Sequence, residues 1–294
     1  MKKRVSGSGQ LTLFPEEPKK QIEKTVASGL DEYLLACQDL GKGDAFLQAV
    51  RFIAKFSSYS PLNAFLIYAQ KPSALFVATP SKWRLRFGRE VRSGARPIII
   101  LAPRSPVVFL YDVSDTEGPE PLSAIRKTEE KPRKGNLYLW VNTVKNCIEW
   151  GRIEVMYTEN AVSTRSRALN GTRQIEISRN LVAEEERYAS LVHELTHIYL
   201  GHLGSGSEKL WPDRTHLTEN QREIEAETVT HLVCERAGVK TVVLERIAHR
   251  LMSGEDDLTK ISLREILEVA TLIENMGKGR LPVRKEKKAG PAIA

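Results

Sequence analysis

The chain has 294 residues, of which 41% are apolar and 28% charged, with a formal net charge of +7. This length carries one large or two ordinary domains with a sizeable core, the composition is that of a soluble globular protein, and no run of eighteen apolar residues marks a membrane span. Cys37, Cys147 and Cys234 are odd in number and lack CxxC spacing, which excludes a disulfide framework and a cysteine zinc site and suits reduced thiols in a cytoplasmic protein.

In chain order, residues 1–21 read as a disordered tail, basic at its start but without the apolar stretch of a secretory signal. It holds one apolar island, "QLTLF" at 10–14. Helical patterning starts near Ile22 and runs through "VASGLDEYLLACQDL"; "GDAFLQAVRFIAKFS" is a second helix, and "SPLNAFLIYAQ" a third, with Ser60 as N-cap and Pro61 at the first helical position. Residues 81–105 carry seven Lys/Arg against one Glu, a local charge of +6. Two strand-like runs follow, "RPIIILAP" and "VVFLYDV", and "TEGPEP" and "TEEKPRKGN" read as linker. A second globular region begins near residue 137. There "VSTRSRALNGTRQIEISRN" is a hairpin signature, with Asn170-Gly171 suited to a type I′ turn. "SLVHELTHIYLGH" is the next helix, and 219–237 another, started by a Thr218-x-x-Gln221 capping box. "VVLERIAHRLM" and "SLREILEVATLIENM" close the fold, the latter capped by Ser262. The division expected is tail 1–21, first domain 22–128, linker 129–136, second domain 137–278 and a basic tail 279–294. No internal repeat is present.

The chemistry concentrates in the HELTH helix. His193 and His197 are four residues apart, so both imidazoles lie on one helix face, about 6 Å apart along the axis. Two neutral imidazoles and a carboxylate are the usual ligands of a catalytic zinc ion with an open position. Glu194 is then placed to take a proton from a water at the ion. A metzincin would need a glycine three residues and a histidine six residues after His197; Leu200 and Leu203 stand there instead. The third ligand is therefore sought on 219–237, where Glu223 and Glu227 share a face and Glu225 points away. Both stay open, with the more N-terminal Glu223 preferred as ligand and Glu227 as acceptor for a ligand histidine. His231, His216 and Tyr199 are the nearby candidates for an oxyanion donor.

This pattern resembles the thermolysin-like gluzincin metallopeptidases. More closely, 137–277 is similar to the zinc-peptidase domain of ImmA/IrrE-type and ArdC-like antirestriction proteins, carried here by "HELTH" and "EIEAE", with Thr196 in place of the commoner glycine. The resemblance implies that a strand beside the HExxH helix holds the peptide, and "RQIEIS" is the strand expected to do so by β-augmentation. Upstream, "SPLNAFLI", "WRLRFGREVRSGARPIIILAP" and "DVSDTEG" are similar to the N-terminal single-stranded-DNA-binding domain of ArdC-like proteins, with matches at Asn63, Trp83, Gly88 and Gly94; Ser93 replaces a common lysine. Trp83 is then expected to stack on a base, alongside Tyr59, Tyr68, Phe76 and Phe87, while Lys82, Arg84, Arg86, Arg89, Arg92 and Arg96 neutralise phosphates.

The fold class expected is α+β: an N-terminal α+β domain that binds single-stranded DNA, then a gluzincin-like zinc metallopeptidase domain. The function expected is a DNA-associated, Zn²⁺-dependent endopeptidase of narrow specificity. The alternative is a single-stranded-DNA-binding antirestriction protein whose zinc domain is only structural or vestigial. Gln10, Leu11, Leu13 and Phe14 resemble the Q-L-x-L-F motif that binds the bacterial sliding clamp, which implies the clamp as a partner.

Overall fold

A computed structural model of the chain describes residues 43–102, 107–119, 136–159, 165–169, 172–205, 211–252 and 260–281. The tail motif at 10–14, the helix expected over 26–40 and nearly all of the linker 129–136 fall outside the described residues.

Helix α1 (Gly43–Lys55) forms where Phe46, Leu47, Val50, Ile53 and Ala54 recur at helical spacing, and all five are buried. Helix α2 (Pro61–Gln70) starts as its sequence dictates: the Ser60 side chain accepts from Asn63 N, and Pro61 occupies the first turn. Strand β1 (Val77–Ala78) leads into helix α3 (Pro80–Phe87), where no element is expected although Thr79-Pro80 repeats the Ser60-Pro61 start. Gly88 ends α3 in the left-handed region at φ 62°. Strands β2 (Glu90–Val91), β3 (Ile98–Leu101), β4 (Val107–Asp112) and β5 (Thr116–Glu117) follow.

β1, β4 and β3 form one antiparallel sheet in that order, and β2 pairs with β5. The outer edge of β3 is closed by two side-chain amides from α2. Asn63 donates to Leu101 O (2.9 Å) and accepts from Leu101 N (3.0 Å). Gln70 does the same at Ile99, at 2.8 and 2.9 Å. The two residues lie two helical turns apart on one face, so a single helix covers an edge that would otherwise invite pairing.

The second region opens with helix α4 (Asn136–Glu149) and strand β6 (Ile153–Thr158), neither expected from pattern. Strands β7 (Arg165–Leu169) and β8 (Thr172–Ser178) make the expected hairpin, with Leu169 opposite Thr172. The sheet order is β6-β8-β7, with β6 parallel to β8. This corrects the role expected of "RQIEIS": it is the central strand, hydrogen-bonded on both sides, and β7 is the edge. Helices α5 (Glu184–Tyr199), α6 (Glu219–Ala237), α7 (Val243–Met252) and α8 (Leu263–Gly277) complete the fold. The class is α+β.

One hydrophobic core runs from α1, α2 and β3 into α5, α6 and α8. Its polar tie is Arg236 on α6, 5% exposed. Arg236 donates to Ile53 O (2.9 Å), Phe56 O (3.1 Å) and Tyr59 O, and pairs with Glu274 on α8. It thereby satisfies carbonyls that the C-terminus of α1 leaves without helical partners. Cys147 and Cys234 are free and buried, and burial pushes both thiols up to about 12. No helix among the described residues is long and apolar enough to cross a membrane.

Candidate metal centre and basic face

Leu191, Val192, Leu195 and Ile198 bury one side of α5, and this orientation turns His193 and His197 together toward α6. Their Nε2 atoms lie 3.1 Å apart. Glu223 of α6 brings Oε1 to 3.3 Å from His197 Nε2 and Oε2 to 3.6 Å from His193 Nε2. Ligands about 2.0–2.1 Å from one tetrahedral ion stand roughly 3.3 Å from one another, so the three atoms outline one face of such a site. Glu223, not Glu227, is the carboxylate brought to the histidines.

The protonation pattern supports the fit. The buried Glu225 carboxylate accepts from Arg214 and from Ser262 N (2.8 Å), and lies 3.0 Å from His202 Nε2. His202 is 2% exposed, and burial, first, lowers its pKa, so the ring is neutral with its proton on Nε2. Its Nδ1, 2.9 Å from His197 Nδ1, is then an acceptor, and His197 must donate from Nδ1. His197 Nε2 is then the ring nitrogen that faces the site. Burial, then the neighbouring His197, holds His193 well below the usual imidazole range. Contact with His197, before other causes, holds the Glu223 carboxyl well below its own. Three potential ligand atoms packed within 3.6 Å suit a shared cation.

Sequence reasoning missed this relay. Glu225 does face away from His193, as expected, but into a buried network and not toward solvent. α6 is buried on nearly all sides, so its faces carry no polar–apolar signal. Gly201 makes the network possible: at φ 74°, a Cβ there would lie 1.8 Å from Pro212 O, so only glycine lets the segment bearing Arg214 cross the end of α5. Glu227 departs from its expected role as acceptor for a ligand histidine. It pairs with Arg246 (3.3 Å) and Arg250 (3.1 Å), and Arg250 reaches on to Glu223 at 3.4 Å. These arginines come from the polar face of α7, which pattern alone marks only as solvated.

Glu194 lies beside the histidines. Ser166 Oγ on the edge strand β7 donates to its Oε2 at 2.6 Å, and burial, outweighing that bond, raises the carboxyl pKa. A cleft of about 550 Å³ opens here, with His193, Glu194, Glu223, Thr230, Arg246 and Arg250 in its walls. None of the three expected oxyanion donors lines it. His231 and Tyr199 are buried elsewhere and His216 is exposed; the cations that line the cleft are Lys240, Arg246 and Arg250.

The basic segment divides differently from its expected role. Trp83 is 0% exposed: it packs edge-on against Phe76 and beside Phe87, and its indole donates to Tyr111 O at 2.9 Å. It is the centre of a small core and has no face to offer a base. Arg89, 8% exposed, is likewise structural, donating to Thr116 Oγ1 (2.8 Å), Thr116 O, Gly118 O and Pro119 O. Tyr59 donates to Val77 O, Tyr68 packs on Phe52, and Phe76 and Phe87 belong to the Trp83 cluster. Arg84 pairs with Glu90 at the surface (2.8 Å), Lys82 lies over the Phe76 ring and Arg86 over Phe87. Arg92 and Arg96 are exposed. Among the described residues of this region, an aromatic ring that does face solvent is Phe109, 49% exposed, opposite Ile99 in the β3–β4 ladder and two residues from Tyr111, which packs on the Trp83 cluster.

No protein-family model and no curated protein matches the sequence. Among the solved structures that match the chain are two that do so over most of its length. One is the metal-free crystal structure of the antirestriction ArdC protein from the R388 plasmid, at 13% identity and TM-score 0.43, covering 80% of this chain and 98% of that one. The other is the Mn(II)-bound structure of the same protein, at 14% identity and TM-score 0.41, covering 79% and 98%.

Proposed function

We propose that the protein is a Zn²⁺-dependent endopeptidase that also engages single-stranded DNA. The observation that carries this reading is Glu194 beside the acceptor trio of His193, His197 and Glu223, in a cleft beside the edge strand β7. A zinc ion held there would act as a Lewis acid toward a carbonyl and an attacking water. The chain's own residues supply the rest. Burial raises the proton affinity of Glu194, so its carboxylate is tuned toward the pH at which it takes a proton from water and returns it to the leaving amine. Ser166 holds one oxygen of that carboxylate and leaves the other to turn to the cleft. β7 offers an open strand edge for an extended peptide, and Arg246 and Arg250 are cations able to balance a developing oxyanion.

Glu194→Gln is expected to keep one metal ion per chain, measured by elemental analysis. Proteins that accumulate shortened fragments in cells carrying the wild type should stay intact in cells carrying the variant. Unchanged cleavage in Glu194→Gln overturns the peptidase reading.

A second reading, an antirestriction protein bound to single-stranded DNA with a purely structural metal domain, is favoured by one feature. The relay from His197 through His202 and Glu225 to Arg214 ties the centre into the core, as a structural site requires. Under it, His193→Ala destabilises the protein while Glu194→Gln changes no function.

For DNA, the exposed cations Arg86, Arg92 and Arg96, with Lys82, support contact to phosphates, and Phe109 takes the stacking role expected of Trp83. Phe109→Ala should weaken binding to a single strand by about 1–3 kcal/mol without loss of fold. Trp83→Ala should instead cost about 3–5 kcal/mol of stability. Fluorescence anisotropy with labelled oligonucleotides, together with denaturant melts, separates the two; a fully folded Trp83→Ala that binds poorly would reverse the assignment.

A further inference from the structure

Away from the metal centre, a second cavity of about 310 Å³ opens between the end of α5 and α8. Its walls include Trp150, Tyr199, Trp211, Glu265 and Glu268. The rings stand steeply to one another: Trp150 and Tyr199 have centroids 6.2 Å apart at 65°, and Tyr199 and Trp211 5.6 Å apart at 70°. Three aromatic rings at such angles make the sides of a box. Tyr199 is 4% exposed, and its hydroxyl fits because residue 151 is glycine, where a Cβ would approach it to 2.8 Å.

Two polar features of this box lack partners. The Trp211 indole N–H is buried and finds no acceptor among the described residues. Glu265 forms no ion pair among the described residues, whereas Glu268 is held by Arg264 at 2.9 Å. Burial, then the charge of Glu268, raises the Glu265 carboxyl pKa against the opposing charges of Arg214 and Arg264.

We propose that this pocket binds a weakly hydrated organic cation, a guanidinium or methylated ammonium group, between Trp150, Tyr199 and Trp211 and against Glu265. Each alternative class meets an obstacle. An anion is repelled by two carboxylates. A hard metal ion requires several oxygen ligands, and the walls are mostly ring carbon. A neutral apolar ligand would desolvate Glu265 further without compensating it. An organic cation satisfies the carboxylate and is attracted to the faces of indole and phenol rings.

Two of the four tryptophans line the pocket, so intrinsic fluorescence of the full chain reports on it. Titration with methylguanidinium, tetramethylammonium and N-acetyl-arginine amide should give saturable changes that potassium chloride at equal ionic strength does not. Saturation by only the guanidinium compounds, or only tetramethylammonium, assigns the cation class, and tighter binding of the arginine amide than of methylguanidinium assigns a peptide source. Glu265→Gln is expected to weaken binding at least tenfold while leaving the melting temperature near that of the wild type, and Trp211→Leu to weaken it further. The pocket shares no residue with the metal centre, so Glu223→Ala should bind these cations as the wild type does. Responses no different from potassium chloride, or equal affinity in Glu265→Gln and wild type, overturn the proposal.

Discussion

Glu223→Ala is expected to lower the affinity of the chain for a divalent ion by more than about a hundredfold, and Glu225→Gln by about 10–100-fold. Among the described residues Glu223 is the carboxylate grouped with the two imidazoles, 3.3 and 3.6 Å from them. Its loss leaves two imidazole nitrogens without the carboxylate that completes the trio. Glu225 acts one step removed. Its Oε2 lies 3.0 Å from His202 Nε2, and His202 Nδ1 lies 2.9 Å from His197 Nδ1, so the chain of contacts braces the His197 ring with Nε2 toward the centre. Glu225→Gln removes the charge that orients this chain and leaves Arg214 without its carboxylate partner. Competition against a chromophoric chelator gives both affinities, and thermal melts of the metal-free proteins separate loss of orientation from loss of fold. Wild-type affinity in Glu223→Ala would remove this residue from the centre; an unaltered Glu225→Gln would remove the relay.

Arg236→Ala is expected to cost about 3–5 kcal/mol of stability, on the scale of breaking a buried ion pair. The guanidinium donates to three backbone carbonyls at and after the end of α1 and to Glu274. Glu274 keeps Lys278 at 2.8 Å, so most of the loss falls on the carbonyls: Ile53 O and Tyr59 O lose the guanidinium, and Phe56 O keeps the Tyr59 N–H at 3.1 Å. Arg236→Lys should recover little, because one ammonium cannot reproduce a planar fork that reaches three carbonyls and a carboxylate. Urea unfolding monitored by circular dichroism measures both. A loss below about 1 kcal/mol in Arg236→Ala would mean that apolar packing alone joins α1 to α6.

What the sequence by itself determined is local. The Ser60 and Thr218 caps, the β7–β8 hairpin and the amphipathic α1, α7 and α8 are set by residues close in sequence to the backbone groups they serve. The HExxH spacing is of the same kind: two imidazoles a turn apart share a face in any helix, so His193, Glu194 and His197 were legible without a fold. Helical phase sets Glu225 apart and leaves Glu223 and Glu227 on one face, with the more N-terminal Glu223 preferred, but which of them meets the histidines depends on how α6 crosses α5. The misreadings are contacts over longer range. Trp83 and Arg89 look like nucleic-acid ligands because an aromatic among arginines reads the same whether it faces solvent or Tyr111 and Thr116. Asn63, matched on resemblance to a DNA-binding pattern, closes the edge of β3. "RQIEIS" has the composition of a strand, but composition does not say whether one edge is paired or two. His202 and Glu225 are 23 residues apart and meet only because the chain turns back at Gly201. Burial and pairing are properties of what lies across from a residue, and in a helix buried on all sides the sequence carries no periodicity from which that neighbour can be read.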